Sequence, residues 1–159
     1  MLSLDLGGKN IGWAVFLNTD LLFSGKLTLK NPCPFTNGNE FSEWLLKLIK
    51  KHKPEVIATE RPFKQNPSFR GKQDWTIGYT FVLGMISKLK GIAFKLLAPT
   101  SIKKIVSGDG RADKATVRFV VNQITGREIK SLHESDAIAI GLAANYKLKE
   151  DEVLGLEIG

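Results

Sequence analysis

A mixed α/β fold, one five-stranded sheet with helices on both faces, is predicted by three features of the 159-residue sequence. The first stretch, up to Leu29, reads as three apolar runs joined by short turns, the pattern of an antiparallel meander. Two further strand-like runs, Glu55 to Thr59 and Gly91 to Leu97, each follow a stretch of helical periodicity. Near the C-terminus, Ala137-Ile138-Ala139-Ile140-Gly141-Leu142-Ala143-Ala144 is small and apolar, as a helix packed closely on a sheet requires.

Taken in order, Leu2-Ser3-Leu4-Asp5-Leu6 is a strand and Gly7-Gly8 a tight turn. Ile11 to Leu17 is the second strand, and Leu21 to Leu29, after Asn18-Thr19-Asp20, is the third, placed near an edge. Asn31-Pro32-Cys33-Pro34 breaks the sheet. From Asn39 to His52 the residues Phe41, Trp44, Leu45, Leu48 and Ile49 recur at helical spacing, and Pro54 stops that helix. The fourth strand, Glu55 to Thr59, is nearly all apolar and so reads as central, covered on both faces. Asp74 to Lys90 is a helix apolar nearly all round. After the fifth strand, Ala98-Pro99-Thr100 opens a short helix to Val106, and Ser107-Gly108-Asp109-Gly110-Arg111 is a turn. Asp113 caps a helix to about Ile124, and Ser131 with Glu134 forms a capping-box pattern for the last helix.

The composition, 43% hydrophobic and 25% charged, is that of a folded domain, and the expected organisation is one domain over residues 1–159. Twenty-three Lys and Arg against 16 Asp and Glu leave +7, an excess that favours a polyanionic partner such as nucleic acid. The one cysteine, Cys33, can form neither an internal disulfide nor a zinc cluster, in keeping with a reducing cytoplasm. No stretch reaches the roughly 18 to 20 apolar residues of a membrane span, and Asp5 and Lys9 interrupt the N-terminus where a signal peptide is apolar.

Four residues stand out chemically. Asp5 lies in a strand among leucines, where a charge is costly unless it hydrogen-bonds the Gly7 and Gly8 amides or is met by a bound cation. Glu60 ends the fourth strand. His133 and Asp136, three apart, share one face at the start of the last helix, where, taken singly, His133 reads as an exposed residue and Asp136 as an acid complementing the helix dipole. Together, acids at two strand ends and one helix start form a set that hard divalent cations use, and paired Mg²⁺ ions can activate water against a phosphodiester. The segment 61–73 interleaves basic and aromatic residues, among them Phe63, Lys64 and Arg70; it is either a surface linker or a grip on phosphates and bases.

These residues carry a resemblance. Asp5-Leu6-Gly7 with Gly12-Trp13, then Glu60, then Val106-Ser107-Gly108-Asp109-Gly110-Arg111-Ala112-Asp113-Lys114, then His133-Glu134-Ser135-Asp136-Ala137 resemble the RuvC family of Holliday junction resolvases over almost the whole chain. The resemblance implies an RNase H-like fold and a metal-dependent endonuclease leaving 5′-phosphate ends on branched DNA. It puts the metal and catalytic positions on Asp5, Glu60, His133 and Asp136, for two Mg²⁺ ions that Mn²⁺ can replace. His133 stands where the family commonly has an acid, so its role is open between ligand and proton carrier. An aromatic near the junction centre falls on Phe63, and DNA-contacting lysines fall on Lys103 and Lys114. The first turn reads Asp-Leu-Gly-Gly where the family commonly has Asp-Pro-Gly, and the region after Glu60 is richer in basic residues and proline. The compact chain suits a phage-borne member.

Two other classes compete. Asp5-Leu6-Gly7-Gly8-Lys9 also resembles the phosphate loop of actin-like sugar kinases, which bind ATP between two such domains where this chain has length for one. A catalytically inert basic module binding branched or single-stranded nucleic acid is the non-enzymatic alternative. A homodimer is expected, because a four-way junction needs two opposed nicks and the chain has one acid set. The helix from Asp74 to Lys90 carries more apolar residues than its own sheet can cover, unless the C-terminal helix covers them.

Overall fold

The structure, a computed structural model, describes residues 1–30, 34–62 and 70–153. Strands β1 (Leu2–Gly7), β2 (Asn10–Leu17) and β3 (Asp20–Thr28) form the antiparallel meander, followed by helix α1 (Pro34–His52), β4 (Val56–Glu60), α2 (Arg70–Leu89) and β5 (Ala93–Leu97). Three helices complete the chain: α3 (Pro99–Ser107), α4 (Lys114–Thr125) and α5 (Leu132–Val153). The sheet order is β3-β2-β1-β4-β5, with β4 and β5 parallel to β1. The mixed five-stranded sheet, the edge position of β3 and the central position of β4 follow the sequence pattern.

Alternation along the strands divides the core in two. Leu2, Leu4 and Leu6 of β1 join Ile57, Phe41, Leu45, Tyr79 and Leu83 under α1 and α2. The other face carries Ala14, Phe16, Ala58 and Leu97, packed against α3, α4 and the Ile138–Ala144 stretch of α5. Asp5 falls on the α5 side, so the leucines flanking it in sequence are not its neighbours across the sheet.

Helix α5 docks through small residues. Ser3 Oγ donates to the Ala137 carbonyl at 2.7 Å, and a Cβ on Gly141 would sit 2.2 Å from Phe16 Cε2. On the opposite face, Thr76 Oγ1 of α2 donates to the Leu6 carbonyl at 2.9 Å, tying that helix to the end of β1.

Several boundaries differ from the sequence reading. Helix α1 starts at Pro34, not Asn39, a residue whose fixed φ suits a first helical turn and which periodicity does not register. Helix α2 starts at Arg70, not Asp74, and β5 starts at Ala93, because Gly91 (φ +66°) and Ile92 close the end of α2 through bonds to Lys88 and Ser87 carbonyls. Asp113 caps α4 as expected, its Oδ1 accepting from Thr116 N at 2.7 Å. The capping box of α5 is half formed: Ser131 Oγ accepts from Glu134 N, but the Glu134 carboxylate accepts from Ser24 Oγ of β3 at 2.7 Å. Among the described residues, no helix is long and apolar enough to cross a membrane.

Candidate active site

The site lies where β1 and β4 end and α5 begins. The parallel register pairs Leu4 with Thr59, so the next residues, Asp5 and Glu60, come level on adjacent strands. Across the other ladder Asp5 pairs with Gly12, and the start of α5 crosses β2 there so closely that a Cβ on Gly12 would lie 1.7 Å from the His133 carbonyl oxygen. Gly7 likewise leaves room for the His133 ring, whose Cε1 would be 2.6 Å from an added Cβ. These two glycines let the helix bring its first turn onto the strand carrying Asp5.

His133 Nδ1 lies 2.7 Å from Asp5 Oδ2. A carboxylate accepts and a ring N–H donates, so this bond takes up Nδ1 and leaves Nε2 outside it. One helical turn on, Asp136 Oδ2 accepts from Lys114 Nζ at 2.6 Å. Glu60 is held differently: among the described residues no side chain bonds it, and its carboxyl is pushed up to about 7 by burial and then by the negative charges of Asp5 and Asp136, against the pull of Lys114 and Lys103. Burial also raises Asp136, with Asp5 adding to it and the Lys114 bond opposing it. Lys114 is raised as well: burial alone would lower it, but its bond to Asp136 and the charges of Asp136, Asp5 and Glu60 outweigh that. Both partners of the pair move upward: Asp136 because burial and then Asp5 disfavour its charge, Lys114 because its bond to Asp136 and the surrounding acids outweigh its own burial.

The fold therefore brings Asp5, Glu60, His133 and Asp136 into one electrostatic neighbourhood, with Lys114 and Lys103 at its margin. Among the described residues no three of His, Cys, Asp and Glu form a ready-made ligand set; Asp5 and Asp136 each face an internal partner instead. The donor chemistry still fits a hard cation, since three carboxylates and one imidazole share this neighbourhood and Glu60 is buried with no hydrogen-bonding side chain among the described residues. Phe63 and Lys64 lie outside the described residues, as does the side chain of Arg70 at the start of α2. The sequence reading missed the crowding of Gly12 on His133 and the Lys114–Asp136 bond. A glycine inside a strand signals close approach but not by what.

A model of the family described as crossover junction endodeoxyribonuclease RuvC matches residues 1–144. The chain belongs to the RuvC family. Relatives described by the same name include that of Campylobacter concisus, 34% identical over 94% of this chain and 98% of its own, and that of Helicobacter hepaticus, 30% identical over 96% and 86%. Among solved structures, Thermus thermophilus RuvC in complex with a Holliday junction substrate superposes with a TM-score of 0.76 at 22% identity, covering 94% of both chains. The fold is thus that of RuvC.

Proposed function

We propose that this chain is a metal-dependent endonuclease that nicks branched DNA such as four-way junctions, as one RuvC-like domain spanning residues 1–159. The observation that carries this reading is the convergence of Asp5, Glu60, His133 and Asp136 from two adjacent strands and one helix start, where burial and then the charges of Asp5 and Asp136 push Glu60 up to about 7. Asp5, Glu60 and Asp136, with His133, would hold two Mg²⁺ ions, or Mn²⁺ in their place. Bound there, divalent cations supply activation of water and neutralisation of the leaving oxygen. Asp5, shared between β1 and the His133 ring, orients that imidazole through Nδ1 and leaves Nε2 as ligand or proton carrier. The start of α5, pressed onto Gly12, brings His133 to the strand that carries Asp5. Lys103 and Lys114 then meet phosphates, and Phe63, Lys64 and Arg70 after β4 engage the bases and backbone near the branch point. Cleavage leaves 5′-phosphate and 3′-hydroxyl ends. The Holliday junction bound to Thermus thermophilus RuvC supports a junction as the substrate here. The protein would act on DNA in the cytoplasm.

The deciding experiment uses a labelled synthetic four-way junction with Mg²⁺, with EDTA, and with Asp5→Asn. Nicking is expected only for the parent protein with Mg²⁺, with junction binding retained in the variant. Binding without any Mg²⁺-dependent product would make the chain an inert DNA-binding module.

The working unit is proposed to be a homodimer. Ile77, Phe81, Met85 and Leu89 form an exposed stripe along α2, with Phe81 68% and Leu89 80% exposed. Helix α5 lies on the opposite face of the sheet and does not cover it. A second copy meeting this stripe about a two-fold axis would set equivalent sites at opposed strands. Light scattering should give twice 17.6 kDa for the parent. Phe81→Glu should give monomers that no longer make paired nicks, and a monomeric parent that cuts both strands in one binding event would refute the dimer.

A further inference from the structure

Lys114 is the first residue of α4, directly after the cap Asp113, whose side chain is engaged with Thr116 N. Its backbone is therefore held in the capped first turn of α4, a helix that shares its core with α5, while its side chain, 62% exposed, reaches a carboxylate that is only 18% exposed. The bonded atoms are 2.6 Å apart. Lys103 acts on the same field but makes no such bond among the described residues. An ammonium on a flexible four-carbon stem is a mobile point charge, and a divalent cation in contact with the same carboxylate would repel it strongly.

We infer that Lys114 is a resident counter-ion of Asp136 that must leave before a divalent cation can bind there, and that its departure hands the ammonium to a DNA phosphate. This rests on the metal-site reading above and adds to it a coupling between the two ligands. A cation arriving at Asp136 frees a positive charge for the polyanion, and a phosphate drawing Lys114 away opens Asp136 to the cation. Such coupling is reciprocal in free energy. With Lys114 on Asp136, the protein free of DNA holds its metal weakly and a bound junction raises that affinity.

The test compares Mn²⁺ binding to the DNA-free protein, by calorimetry or electron paramagnetic resonance, in the parent, Lys114→Met, Lys114→Arg and Lys103→Met. Lys114→Met should bind Mn²⁺ roughly ten-fold more tightly, within the usual span of site-to-site coupling. Lys114→Arg keeps a cation on Asp136 and should resemble the parent, and Lys103→Met should gain much less. Junction affinity read by fluorescence anisotropy should rise with Ca²⁺ in the parent, and that rise should shrink in Lys114→Met. Unchanged or weaker Mn²⁺ binding in Lys114→Met overturns the proposal, as does an equal gain in Lys103→Met, which would mean a general field and no displacement. Absence of saturable Mn²⁺ binding in both the parent and Lys114→Met would instead remove the metal-site reading, and this coupling with it. The Lys114 side chain is 62% exposed, and circular dichroism checks that each variant folds.

Discussion

Glu60→Gln should abolish junction nicking and at the same time make the metal-free protein more stable at pH 8. The carboxyl is held at about 7 in the folded chain against an ordinary value of 4.5, chiefly by burial and then by Asp5 and Asp136. A folded value raised above the unfolded one means that the native state binds the proton more tightly. The contribution of this group is therefore fully favourable below pH 4.5, is lost as the pH rises toward 7, and stays lost above it. At about 1.4 kcal/mol per pKa unit, the loss from this one group is on the order of 3–4 kcal/mol well above pH 7. Glutamine has the same shape without the charge, so the melting temperature of the metal-free variant should vary less with pH between 4.5 and 7. Mg²⁺ should raise the melting temperature of the parent and leave that of the variant nearly unchanged. A variant no more stable than the parent at pH 8 would place Glu60 outside this field, and retained nicking would remove it from the site.

Gly12→Ala should damage both fold and activity through one methyl group. The added Cβ would lie 1.7 Å from the His133 carbonyl oxygen and 2.3 Å from its carbon, and both are backbone atoms that cannot swing aside. Overpacking of this kind costs about 1–3 kcal/mol or more, and relief requires moving the first turn of α5 off β2. A shift of about 1 Å in a catalytic group is worth roughly a hundred-fold in rate. Nicking should fall by that order in whatever fraction folds, together with a clear drop in melting temperature. Gly8→Ala provides the contrast: its φ is +49°, with nothing within 4 Å of the added atom, so it should show modest strain and keep α5 in place. Parent-like melting and nicking in Gly12→Ala would mean that the close approach is not needed.

Much of this was legible in the sequence because it rests on local rules. The meander follows from apolar runs and short turns, the central place of β4 from its unbroken apolar core, and the cap of α4 from Asp113. Glu60 could be picked out as an acid ending β4, and His133 with Asp136 because residues three apart share a helical face. The pattern places Asp5 at the end of β1, but it lies two residues inside, because β1 stays paired with β2 as far as Gly7. What the pattern does not encode is long-range partnership. Ser24 diverts Glu134 from its own capping box across 110 positions, and Lys114 meets Asp136 across 22. The unexpected start of α1 at Pro34 has a smaller cause, since proline fits a first turn as readily as it breaks a helix interior.

The docking of the last helix on the first strand has a consequence in time. Asp5 and His133 stand 128 positions apart, and Ser3 and Gly12 receive a helix that is made last. During synthesis, at about 5–20 residues per second, roughly ten seconds separate the emergence of the two halves of the site. A nascent chain on the ribosome therefore holds β1 and β4 without α5, and carries no assembled nuclease while it is still being made. The same holds for a proteolytic fragment that ends before Leu132. The residues of β1 and β4 and those of α5 thus come together only when the last described helix docks on the sheet.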